Sequence, residues 1–338
     1  MKKYILPQEG QFYKANLHCH STVSDGRWTP EEIKKNYMAH GYSIVAYTDH
    51  QVLVPHNELA EEGFLPLNGY EIDIPEDRPW DEVAKTCHTC FIALDPERTV
   101  QKIYHDSVFI DQNRDRVQLA ADREPVIRRY DPAFINAVMA EGRQDGFFVI
   151  YCHPVWSLES DGEFMNYHGM HAMEMVNYGS YVTGHEEHNG ILYDRKLHSG
   201  EMIYCVASDD NHDVFPMGHP KCDSFGGFTM IKAERLEYGA VAEALLNGHF
   251  YASEGPEIHE LYLEDGKVHI KTSDAVRIVM TTGFRYNKAR TAEQIGETIN
   301  EAVFTLNQKD TDYVRIIVRD REGKEAYTNA YRVADLKK

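Results

Sequence analysis

Cysteine is scarce in this chain, and six thiols in 338 residues are too dilute for a disulfide-stapled scaffold. Only Cys87-His88-Thr89-Cys90 has CxxC spacing. No second CxxC accompanies it and Phe91-Ile92-Ala93-Leu94 extends it as an apolar strand, so neither a thiolate zinc site nor a redox pair is expected there. No apolar run approaches the ~20 residues that span a bilayer, and the start, Met1-Lys2-Lys3-Tyr4-Ile5-Leu6-Pro7, lacks the apolar core of a secretory signal. A cytoplasmic protein with no membrane partner is expected. Basic residues are also in deficit, since 35 Lys and Arg against 54 Asp and Glu give 35 − 54 = −19. That balance disfavours an extended nucleic-acid footprint, which needs Lys and Arg gathered on one face, but it leaves room for a small anionic substrate held by metal ions.

What the chain does contain is a 42% hydrophobic fraction with 21 Tyr and 14 Phe, enough for a packed core. Apolar segments that read as strands recur at 12–20, 43–48, 65–72, 86–94, 147–153, 171–177 and 202–208, with helical stretches between them. This alternation indicates an α/β fold with a largely parallel sheet or barrel. Thr29-Pro30-Glu31-Glu32 is a capping box with proline at the first helical position, and Asp131-Pro132 opens a second helix in the same way. The Asp- and Arg-rich stretch 95–130 reads as an insertion. After Glu254-Gly255-Pro256 the texture changes to short strands around an Asp265-Gly266 turn and a turn at Gly323. The chain therefore divides into a large unit, 1–255, and a small all-β domain, 256–338.

The histidines are placed suggestively. His18-Cys19-His20 puts two imidazoles at i and i+2, on one face of a strand. With 18 histidines, about one such pair arises by chance; the positions of the others give it weight. His50 ends the second strand, Glu71 ends the third, His88 lies in the fourth, His153 follows the fifth, and Asp210-Asn211-His212 follows the seventh. In a βα barrel the carboxyl ends of the strands share one rim, where active sites are built. His185-Glu186-Glu187-His188 is not HExxH and reads as a solvated helix start.

Asn16-Leu17-His18-Cys19-His20-Ser21-Thr22-Val23-Ser24-Asp25-Gly26, followed by Thr48-Asp49-His50, Glu71, Cys152-His153-Pro154 and Ser208-Asp209-Asp210-Asn211-His212, resembles the PHP family, named for polymerase and histidinol phosphatase. Within it the chain is most similar to the carbaryl-hydrolase-like branch. The resemblance implies a distorted (β/α)7 barrel with two or three divalent ions. His18, His20, Glu71 and the aspartate of the last motif would hold one ion; Glu71, His88 and His153 a second; Asp25, His50 and His212 a third. The last motif has one residue more than the family's Ser-Asp-x-His. Keeping Asp-x-His selects Asp210, the preferred ligand; keeping Ser-Asp selects Asp209.

Imidazole and carboxylate donors without thiolates suit zinc, manganese or iron. Closely spaced ions acidify a water and neutralise phosphoryl charge, so no protein nucleophile is needed. A metal-dependent phosphoesterase acting through a metal-bound hydroxide on small phosphate esters is expected, with Glu71, Asp210 and His212 acting directly in catalysis. Asp49 is a candidate orienter of His50, and Arg27, His219 and Lys221 are candidate phosphate contacts. The alternatives are a hydrolase of non-phosphate esters or carbamates, and a non-catalytic metal-binding regulatory module.

Overall fold

The computed structural model describes residues 2–79, 82, 84–104, 113–122, 124–285, 287–306 and 312–336; Trp80 and part of the 95–130 insertion lie outside the described residues. In chain order, β1 (Lys3–Tyr4), β2 (Gln11–Asn16), β3 (Ile44–Tyr47), β4 (Leu65–Pro75), β5 (Thr86–Ala93), β6 (Val100–Gln101), β7 (Gln118–Leu119), β8 (Phe147–Tyr151), β9 (Ala172–Asn177) and β10 (Tyr204–Ser208) are joined by helices at Pro30–Ala39, Pro132–Gln144, Asp161–Met165, Tyr178–Val182 and Gly190–His198. There follow β11 (Phe228–Ala233), a helix at Tyr238–Leu246, then β12 (Phe250–Ser253), β13 (Ile258–Glu264), β14 (Lys267–Ala275), β15 (Arg277–Thr282), β16 (Lys288–Thr291), β17 (Ile299–Thr305), β18 (Tyr313–Arg319), β19 (Glu325–Thr328), β20 (Tyr331–Arg332) and a last helix at Val333–Leu336. The fold is mixed α/β. A 14-stranded sheet runs β10-β9-β8-β5-β4-β3-β2-β11-β12-β19-β18-β15-β16 with β20 on β18, and a four-stranded sheet runs β1-β13-β14-β17. No helix among the described residues is long and apolar enough to cross a membrane.

Both helix starts form as their sequences predict. Thr29 Oγ1 accepts from the Glu32 N–H at 3.2 Å while Glu32 Oε2 accepts from the Thr29 N–H at 2.9 Å, and Asp131 Oδ1 accepts from the Phe134 N–H. The helix Pro30–Ala39 then buries Ile33 and Tyr37 against Val45, Tyr47 and Phe64. Parallel pairing holds for β2–β3, β3–β4, β8–β9 and β9–β10. It fails at β5, which runs antiparallel to both β4 and β8. The link from Pro75 to Thr86 is too short to carry the crossover that a parallel partner requires, so the chain turns back. Reversal changes which end of β5 lies at the rim: His88, near its start, is paired with Asp73 near the end of β4. The same strand separates the CxxC thiols, since Cys87 and Cys90 are three apart in a period-two element and enter different cores.

The turn at Asp265-Gly266 joins β13 and β14 in antiparallel register, and Gly323 lies between β18 and β19. β12 pairs with β19, so the large sheet continues into the C-terminal strands. Arg315, 1% exposed, reaches from β18 to Asp194 on the helix Gly190–His198 through two bonds of 2.8 and 2.9 Å. A buried guanidinium needs such a bidentate partner.

Glu159 is held by three phenols: Tyr151 at 2.6 Å, Tyr167 at 2.5 Å and Tyr130 at 3.0 Å. Burial outweighs these donors and pushes its carboxyl up to about 7 from an ordinary 4.5. The folded state therefore holds this proton through a window in which the unfolded chain has released it, and the group costs stability as pH rises from about 4.5 to about 7. Glu159→Gln lacks that titration. Its unfolding free energy relative to the native chain is expected to shift in its favour between pH 4.5 and 7.5, as read by denaturant melts; a pH-independent difference would show that Glu159 titrates alike in the folded and unfolded chain.

Candidate metal centre

Just beyond β2 the chain stays extended, so Leu17 and Cys19 enter two apolar cores while His18 and His20 share the opposite face with Nε2 atoms 3.1 Å apart. The backbone here is paired to the segment after β10: the His20 N–H donates to Asn211 O and the Asp210 N–H to His18 O, with Cys19 bridged in parallel to Asn211. β4 brings Glu71, which is fully buried. Its Oε1 lies 2.8 Å from His88 Nδ1, 3.3 Å from His18 Nε2 and 3.3 Å from His153 Nε2. Its Oε2 lies 2.9 Å from His50 Nδ1 and 3.4 Å from His20 Nε2. Asp210 Oδ1 lies 3.0 Å from His20 Nε2 and 3.2 Å from His18 Nε2. Asp25 completes the edge at 3.6 Å from His212 and 3.9 Å from His20 and His50.

Exposure gives the cluster a direction. Asp25 is 40% exposed and His212 28%, whereas His18, His20 and Glu71 are at 1% or below. The open face is therefore that of Asp25, His212 and His50. Backbone strain concentrates at the same place, with left-handed φ at Gln51 (69°), His153 (22°) and Asp210 (53°). Such conformations cost on the order of 1–3 kcal/mol each and persist only where surrounding bonds impose them.

The charges are strongly coupled. Burial opposes ionisation of Glu71, yet His88, His18 and His50 hold it well below the usual carboxylate range, and His18 and His153 do the same for Asp210. His20 is driven down to about 4 by burial and by His50 and His212; against burial, Glu71 lifts His50 to about 10 and His153 to about 9.

The donor set fits divalent cations. Two Nε2 atoms face each other at 3.1 Å, an arrangement that excludes two N–H groups and suits one N–H donating to the other ring or two lone pairs sharing a cation. His20 Nδ1, Glu71 Oε2 and Asp210 Oδ1 are buried without a hydrogen-bond partner of good geometry. Donor atoms fall into overlapping groups, His18 with His20 and Asp210, His50 with Glu71 and His88, and His20 with Asp25, His50 and His212.

All nine residues singled out as ligands, His18, His20, Asp25, His50, Glu71, His88, His153, Asp210 and His212, thus lie in one contiguous cluster. The neighbouring candidates do not. The Asp209 carboxylate faces away, accepting from the Phe225, Gly226 and Gly227 N–H groups and the Tyr37 hydroxyl. Asp49 accepts from the N–H and hydroxyl of both Ser21 and Ser24, so it shapes the turn leading to Asp25. His219 stacks on Phe215, over which Lys221 also lies, and Arg27 engages His212 O through its backbone.

Sequence reasoning missed three features. Glu174, the one charged residue of β9, is fully buried and bonded to His18. Glu187 is buried and accepts from the Val155 and Trp156 N–H groups, which corrects the expectation of a solvated helix start. Cys90 and Cys152 lie beside His18 and Glu71, although a thiol-free surround was expected; burial pushes the Cys152 thiol up, and it donates to Ile150 O.

The sequence matches no protein-family model and no curated protein. Among solved structures it is similar to a two-domain protein from Bacteroides vulgatus containing a predicted PHP-like metal-dependent phosphoesterase (TM-score 0.47, 15% identity, 97% of this chain and 98% of that one). A protein from Bifidobacterium adolescentis, provisionally named a metal-dependent phosphoesterase, gives 0.37 and 18% over 61% of this chain and 89% of its own. An amidohydrolase from Chromobacterium violaceum, solved with sulfate and no metal, gives 0.39 and 19% over 59% and 87%.

The two adjacent aspartates should separate by experiment. Asp210→Asn is expected to weaken divalent-ion binding by at least tenfold with little change in melting temperature, while Asp209→Asn, which disturbs three backbone N–H bonds, should lower melting temperature and leave ion affinity nearly intact. Equilibrium dialysis and calorimetry on both variants read this; the opposite ranking would assign the ligand to Asp209.

Proposed function

We propose that this chain is a metal-dependent phosphoesterase acting on small, soluble phosphate esters, built as a PHP-type (β/α)7 barrel over residues 1–255 with 256–338 as a supporting β domain. One observation carries the reading: five imidazoles, two following β2 and one each from β3, β5 and β8, converge on the two oxygens of Glu71. Closure of the barrel is supported by the parallel bridge between Cys19 and Asn211, which joins the first and last of its strands at the site. His18, His20, Glu71 and Asp210 would hold one ion, His88 and His153 with Glu71 a second, and Asp25, His50 and His212 a third; zinc, manganese and iron all suit these donors.

When bound, such ions supply an acidified water and neutralise charge developing on a phosphoryl group. The chain's own part is positional. The ester enters over the open face, where Asp25 and His212 are most exposed. With two ions bound and the Asp25 site empty, His212, its Nδ1 3.0 Å from Asp210 O and its Nε2 toward Asp25, would hand the proton on Nε2 to the leaving oxygen. Glu71 and Asp210 keep the donors anionic, and buried His18 and His153 close the site from below.

A second reading, hydrolysis of a carboxyl ester or carbamate, draws on one feature: the side chains of His219 and Lys221, two of the three candidate phosphate contacts, pack against Phe215. A hydrolysis panel of phosphomonoesters, phosphodiesters, carboxyl esters and carbamates, run with protein of measured metal content, separates the readings. Phosphomonoester turnover abolished by a chelator and restored by a divalent ion is expected, with His18→Ala, His20→Ala or Glu71→Gln lowering kcat by at least a hundredfold. Inactivity toward every class would leave a non-catalytic metal-binding module.

In a single turnover with enzyme in excess and labelled water, one solvent oxygen should appear in the released phosphate. A phosphorylated side chain trapped in that experiment would replace direct attack with a covalent route.

A further inference from the structure

Glu174 sits in β9 between Met173 and Met175 and is fully buried. Both of its oxygens are used. Oε1 accepts from His18 Nδ1 at 2.9 Å and from the Ser208 hydroxyl; Oε2 accepts from the His153 backbone N–H at 2.9 Å and from Asn177 Nδ2 at 2.9 Å. The same Asn177 nitrogen lies 3.1 Å from Asp210 Oδ2. One carboxylate is thereby joined to three residues of the candidate metal centre, which follow three different strands, β2, β8 and β10. Two of those residues, His153 and Asp210, carry left-handed backbones that need outside support.

We propose that Glu174 is the positioning residue of the metal centre. By accepting the Nδ1 proton it fixes the tautomer of His18 in which the Nε2 lone pair faces Glu71 and Asp210, and through the His153 amide and Asn177 it sets the placement of the other two residues. The inference rests on the reading that His18, His153 and Asp210 hold ions. What sets it apart from a generic buried acid is whose donors it takes: His18 and His153 belong to the candidate centre, and Asn177 also reaches Asp210.

Replacement by glutamine shows why charge and symmetry both matter. If the amide nitrogen of Glu174→Gln faces His153 and Asn177, it meets two donors and no acceptor. If it faces the other way, Ser208 can accept but His18 must move its proton from Nδ1 to Nε2, which caps the nitrogen that looks into the cluster. Neither orientation preserves the native set of bonds, although shape and volume are kept.

The experiment has two arms. In metal-free native protein, nitrogen-15 NMR of labelled histidines, with His18 assigned by its substitution, should show a proton on His18 Nδ1, held toward Glu174. In equilibrium dialysis with Mn²⁺ and with Zn²⁺, Glu174→Gln should bind about 10- to 100-fold more weakly than the native chain, at a melting temperature that shows it folded. His18 without a proton on Nδ1 in the native chain, or undiminished ion affinity in folded Glu174→Gln, overturns the role given to Glu174. Failure of the native chain to bind either ion would instead discard the metal reading, and the tautomer measurement still decides whether Glu174 fixes His18.

Discussion

A carboxylate with no exposed surface and five imidazoles around it is the constraint on which the rest of this structure depends. An isolated buried carboxylate is prohibitively costly, so Glu71 requires positive charge or hydrogen-bond donors at short range. His88 and His50 stand at 2.8 and 2.9 Å, and His18, His153 and His20 at 3.3 to 3.4 Å. Without cations the imidazoles must carry protons to satisfy it, and five protonated rings at such spacing repel one another. The low value at His20 beside the high values at His50 and His153 expresses that conflict. Divalent ions resolve it, because each replaces several protons and is attracted to both carboxylate and ring nitrogen.

The sheet makes this convergence possible by bringing the relevant ends of its strands to one rim. Alternation along each strand gives one side chain to the core and the next to the site, as in Leu17, His18, Cys19 and His20. Where the chain reverses at β5, the rim receives the start of a strand instead of its end, and His88 still arrives beside Asp73 and Glu71. The rim is then fixed by bonds that never touch an ion: Asp49 pins the serines that lead to Asp25, Glu187 holds the turn after His153, and Asp209 gathers the N–H groups of Phe225, Gly226 and Gly227. Gly227 is required there, since a Cβ would stand 2.5 Å from Ser208 O.

Much of this was legible in the sequence because the histidines fall where strand-like segments stop, and no tertiary detail is needed to place a strand end on a rim. The helix caps at Thr29 and Asp131 were legible for the same reason, being local. The direction of β5 was not, because an apolar run looks alike in either direction and only the length of its connection decides. Glu174 was hidden as a single acid among apolar residues of β9, a pattern that also describes a solvent-facing position. Cys90 and Cys152 are 62 positions apart by number and meet only through the register of β5 on β8, which sequence periodicity does not fix. The bonds of Asp49 to Ser21 and Ser24 were not legible, since a carboxylate near a histidine has several donors to choose from.

In Ser208-Asp209-Asp210-Asn211-His212 two adjacent aspartates face opposite sides of the chain. Two consecutive carboxylates in an extended strand would point to opposite faces, and a one-residue shift would exchange them. Here β10 ends at Ser208 and the backbone of Asp210 turns left-handed, a conformation that aspartate tolerates better than most residues. The turn leaves Asp209 buried on the side of Tyr37 and Gly227 and rotates Asp210 toward His18 and His20. Asn211 then bonds Asn16 and Tyr37, restoring contact with the end of β2, and His212 emerges at the open edge. Two tasks are thereby divided between neighbours, with Asp209 holding the loop and Asp210 facing the cluster, and the backbone strain falls on the second aspartate.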